Sequence, residues 1–198
     1  MTQEERQLLL KDLAARVPYG LKGKCEFETE TDTEFWSETN RFNLDVNLEK
    51  ISKYGKIRVR CFFDDTIDKE SEEGVKQLNL LDFVEDYQDY ADDEIDIEDF
   101  KPYLRPINSI TNDELKELLN RVKQVGVAWN DKLNIKIDDV NGLSVSGCER
   151  GECIPMQIIS TIMNFCYEKH LDCNDLIKKR LALQSPKGMY NKTNNKNE

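Results

Sequence analysis

The sequence is short of the residues and runs that most often announce a function. It holds one histidine, His170, among 198 residues, so any Ser–His or Cys–His pair would have to use that single imidazole. Its nine glycines nowhere take the G-x4-G-K-[ST] spacing that cradles a nucleotide phosphate. The run Gly142-Leu143-Ser144-Val145-Ser146-Gly147 lacks the glycine at position 146 that a nucleophile elbow needs. No stretch approaches the roughly 18 apolar residues of a bilayer span. Residues 1–5 are polar and acidic, without the basic start and apolar block of an export signal. These absences set the expectation of a cytoplasmic protein with no membrane contact, and they favour no enzyme class.

Apolar residues are scarce as well. They make up 38%, below the roughly 45–50% of ordinary soluble domains, while charged residues reach 34% against about 25%. A thin core under a heavily solvated surface follows. The length suits one domain.

The charge is present but local. Residues 1–63 carry 11 basic and 11 acidic groups, and 101–198 carry 15 basic and 12 acidic. Residues 64–100 carry 2 basic against 16 acidic, a net of −14. Within them, 82–99 holds ten carboxylates and no Lys or Arg. Such a surface repels phosphate backbones, because nucleic-acid affinity comes largely from cationic groups releasing counterions. Direct nucleic-acid binding is therefore disfavoured. The basic run Lys178-Lys179-Arg180 reads more simply as the cationic end of a last helix.

Periodicity divides the chain. Thr2-Gln3-Glu4-Glu5 fits a capping box ahead of Leu9, Leu10, Leu13 and Val17 at helical spacing, with Pro18 and Gly20 as the stop. The period then changes to two. Cys25 and Phe27 predict one strand, Phe42, Leu44, Val46 and Leu48 a second, and Ile57, Val59, Cys61 and Phe63 a third. Residues 29–40 read as a long polar connection and 64–74 as a charged loop. Phe100-Lys101-Pro102-Tyr103-Leu104-Arg105-Pro106 must be extended, with two prolines so close. A second capping box, Thr111 to Glu114, opens a helix striped by Leu115, Leu118, Leu119 and Val122. Leu133, Ile135 and Ile137 predict a strand that turns at Asn141-Gly142 into Leu143 and Val145. Pro155 starts a helix carrying Ile158, Ile159, Ile162, Phe165 and Cys166. Asp172 caps a last one through Leu176, Ile177 and Leu181. The expected fold is α+β: a single domain over 1–186, a mostly antiparallel sheet with about four helices packed on it, and a disordered polar tail over 187–198.

Three stretches resemble a known group. Leu8 to Lys22 (LLLKDLAARVPYGLK), Phe100 to Leu115 (FKPYLRPINSITNDEL) and His170 to Tyr190 (HLDCNDLIKKRLALQSPKGMY) are similar to a family of short uncharacterised proteins of gut anaerobes and their phages and prophages. KPYLRP followed by a capped helix is the most specific part. Similar proteins tend to carry an HFDYRGLI-like segment where this chain has HLDCNDLI over 170–177. The resemblance implies a phage or mobile-element setting and no mechanism.

Two constellations remain. Asp82, Glu85, Asp86, Asp89, Asp92, Asp93 and Asp96 fall three or four apart, with Phe83, Val84, Tyr87 and Tyr90 between them. As a helix this segment would have a carboxylate face and an aromatic face. Such a surface can mimic a phosphate backbone and dock on a basic protein, with Tyr87 and Tyr90 as anchors. The second is Cys148, Cys153, Cys166 and His170. Cys166 and His170 are i,i+4, sharing a face if both are helical, and soft thiolates with an imidazole suit tetrahedral zinc. The leading expectation is a non-catalytic accessory protein that binds another protein and needs no cofactor. The alternative is a small zinc-binding protein.

Overall fold

The computed structural model describes residues 1–32, 37–52, 54–61, 95–125, 134–138, 142–146 and 154–190. For 27–32, 37–42, 61, 134–138 and 142–146 it describes the backbone alone. The chain divides into two compact units, Met1–Pro102 and Tyr103–Glu198.

The first unit opens with helix α1, Gln3–Arg16. Its start is the expected capping box: the Glu5 N–H donates to Thr2 Oγ1 at 3.2 Å, and the Thr2 N–H donates to Glu5 Oε2 at 2.8 Å. Leu9 and Leu13 are buried from this helix. A 3-10 turn at Val17–Tyr19 and a left-handed Gly20 (φ 71°) end it and turn the chain into β1. Strand β1 is Lys22–Asp32, β2 is Ser37–Ile51, β3 is Lys56–Cys61 and β4 is Ile95–Asp96. Strand β5, Phe100–Leu104, follows a 3-10 turn at Ile97–Asp99. All pairings in this unit are antiparallel, in the order β4-β3-β2-β1-β5.

The period of two is real here. Val46, Leu48, Ile57 and Val59 are buried, while Glu49, Arg58 and Arg60, each next to one of them in sequence, are exposed. With Leu9, Leu13, Leu21, Cys25, Ile97 and Phe100 they supply the unit's buried apolar residues. Fully burying a Leu or Ile side chain is worth about 1.5–3 kcal/mol. Gly23 exists for Phe100: a Cβ at Gly23 would lie 2.3 Å from Phe100 Cζ.

Of the expected polar connection over 29–40, residues 29–32 and 37–40 are strand instead, and 33–36 lie outside the described residues. β1 runs on to Asp32 and β2 begins at Ser37, paired in register from Lys22↔Asn47 to Asp32↔Ser37. The ladder satisfies backbone groups whatever the side chains, and Thr29, Thr31 and Thr39 suit a pleated backbone.

In the second unit, the end of β5 pairs in parallel with β8, Leu183–Gln184. Helix α2, Asn112–Val125, and helix α3, Met156–Glu168, carry the core. Leu118 and Val122 pack with Ile158, Ile162, Phe165, Cys166 and Leu171. The expected hairpin forms from β6, Asn134–Asp138, and β7, Gly142–Ser146, with Ile135↔Val145 and Ile137↔Leu143, but Gly142, expected in the turn, is a strand residue opposite Asp138.

The fold is thus α+β with mostly antiparallel pairing, and it has three α-helices among the described residues rather than four. The expected last helix is replaced by turns over 173–180. Asp172 does cap, accepting from the Leu176 and Ile177 N–H groups at 2.8 and 2.9 Å. But Asp175 (φ 56°) and Arg180 (φ 62°) are left-handed, and each breaks a right-handed helix. Lys178, Lys179 and Arg180 are therefore exposed turn residues, with no helix dipole behind them.

Candidate functional sites

The acidic constellation is described at one of its positions. Asp82, Glu85, Asp86, Tyr87, Asp89, Tyr90, Asp92 and Asp93 lie outside the described residues. Asp96 lies in β4, opposite Lys56 of β3, and so belongs to a strand rather than a helix. Its carboxylate receives Arg6 Nη1 from α1 at 2.8 Å, and Lys56 Nζ stands 3.4 Å away. Arg6 also reaches Glu98 at 3.0 Å and the Tyr54 carbonyl at 3.4 Å. One guanidinium therefore ties the helix to the turn before β3 and to the end of the acidic segment.

The electrostatics of that end split two neighbours. Burial opposes ionisation of Asp96, but Arg6, the Glu98 N–H and Lys56 outweigh it and hold the carboxyl below its ordinary value. At Asp99 burial acts in the same direction as the negative charges of Asp96, Glu26 and Glu98, and its carboxyl is pushed up. The segment thus enters the fold through one compensated carboxylate and one strained by its neighbours.

Of the zinc constellation, Cys148 and Cys153 lie outside the described residues. Cys166 is buried in the α2–α3 core with its thiol free of disulfide. His170 is not on its helix. α3 ends at Glu168, Lys169 is the cap, and His170 takes a left-handed φ of 53°. The i,i+4 shared face expected of Cys166 and His170 therefore does not form, because the chain turns off the helix axis before the imidazole. Among the described residues no group of three or more Cys, His, Asp or Glu is arranged to hold a metal ion.

His170 is instead part of a polar seam that joins two of the stretches quoted above. Its ring, 3% exposed as a residue, stacks on Tyr190 with centroids 4.0 Å apart and an interplanar angle of 25°. The Tyr190 hydroxyl donates to the Tyr103 carbonyl at 2.8 Å. The Arg105 N–H donates to the His170 carbonyl, and the Asp172 N–H to the Arg105 carbonyl, both at 2.8 Å. The Arg105 guanidinium grips Glu114 through two bonds of 2.7 and 2.9 Å and caps the Ser109 carbonyl at 2.9 Å. Glu114 completes the second capping box with Thr111. Arg105 above all, helped by Thr111 and opposed by burial, lowers the Glu114 carboxyl to about 2. The Tyr103 carbonyl, Arg105, Thr111 and Glu114 of this stretch are thus engaged in holding the end of β5 to α2 and to the 170–190 segment.

Sequence reasoning missed this seam. The signal was available only in part: Glu114 was legible as a cap, but Arg105 as its partner was not, since it stands nine positions earlier across a 3-10 turn.

Comparison of the chain with known protein families, characterised proteins and solved structures yields no match. No helix among the described residues is long and apolar enough to cross a membrane.

Proposed function

We propose that the chain is a non-catalytic accessory protein, of phage or mobile-element type, that acts by binding another protein through its acidic segment. One observation carries the reading: residues 64–100 hold 16 acidic and 2 basic groups. A field of that strength attracts a basic protein surface, speeds the encounter and weakens with salt. The phage setting rests on the resemblance alone.

The test is affinity capture from host lysate at low and moderate salt. Beside the natural chain runs a variant with Asp82, Glu85, Asp86, Asp89, Asp92 and Asp93 changed to Asn or Gln. A basic partner lost both with salt and in the variant supports the reading. A partner that the variant retains refutes it.

A further inference from the structure

We draw no further inference here: the strongest candidate, the side-chain cluster beyond the end of α3 in which His170 stacks on Tyr190, belongs to the polar seam already described, and nothing among the described residues around it points to a ligand.

Discussion

Arg105 and Glu114 meet fork to fork, with both carboxylate oxygens taken by one guanidinium at 2.7 and 2.9 Å. Each side chain is 19% exposed, so the pair is shielded enough to matter and wet enough to form without a large desolvation cost. It joins the last residue before Pro106 to the first turn of α2, across a 3-10 turn at Ile107–Ser109. Arg105→Ala is expected to destabilise by about 1–3 kcal/mol, because it leaves the Glu114 carboxylate part-buried with only its cap. Arg105→Lys should recover less than half, since an ammonium cannot present the fork. Urea denaturation of the three proteins checks this.

The same pair gives a pH dependence with a definite sign. The folded-state value of Glu114 is depressed to about 2 from an ordinary 4.5. Its stabilisation is therefore complete above pH 4.5 and is lost as pH falls toward 2, where the folded protein finally takes up the proton. Glu114→Gln should flatten the stability curve across that window and cost most above it, at neutral pH, where the charged pair contributes in full. A Glu114→Gln curve with the original acid slope would place that slope on other carboxylates.

Much of the fold was legible because its signals are local. The two capping boxes, at Thr2 and Thr111, need only four consecutive residues, and both formed. The alternating runs around Val46 and Ile57 needed only a period of two. Where long-range pairing decides, the sequence was silent. Residues 29–32 and 37–40 look like polar loop, yet they are strand because each has a partner across the ribbon. Asp12 and Arg16 look like an exposed i,i+4 pair, yet both are fully buried, with bonds of 2.6 and 3.1 Å between them. Nothing in α1 distinguishes a pair that neutralises itself in the interior from one that sits in water. At the candidate sites the same limit applied. Asp96 was legible as acidic, but not that Arg6, 90 residues away, would hold it.

Gly23 supplies a packing test. A Cβ there would lie 2.3 and 2.4 Å from Phe100 ring carbons and 2.8 Å from the Lys101 carbonyl oxygen. Gly23→Ala is expected to cost about 1–3 kcal/mol through overpacking. Adding Phe100→Leu should relieve the ring clash while losing aromatic contact, so the double variant should be less destabilised than the two single changes summed. Strict additivity would mean that the ring already moves freely away from Gly23.

Tyr190 tests how firmly the chain beyond β8 is held. Tyr190→Phe deletes the bond to the Tyr103 carbonyl and should cost about 0.5–1.5 kcal/mol. Tyr190→Ala also deletes the stack on His170, worth about another 0.5–1.5 kcal/mol beyond lost burial. Amide exchange at Arg105 and Asp172, whose N–H groups donate to the His170 and Arg105 carbonyls respectively, should quicken in the Ala variant more than in the Phe variant. Equal exchange in both would assign the anchoring to β8 alone.

The turn that replaces the last helix makes a prediction of opposite sign. Arg180 is exposed, and it holds a left-handed φ of 62° that costs an ordinary residue roughly 1–2 kcal/mol. Glycine pays no such penalty, although it loses more freedom on folding. Arg180→Gly should therefore leave stability unchanged or raise it by up to about 1 kcal/mol, whereas a helix at this position would make the same change costly by about 1 kcal/mol. Asp172→Ala provides the counterpart, because it removes the acceptor for the Leu176 and Ile177 N–H groups and should cost about 1–2 kcal/mol. Thermal unfolding of both variants decides between turn and helix. A destabilised Arg180→Gly would return residues 173–181 to the helix that their apolar spacing first suggests.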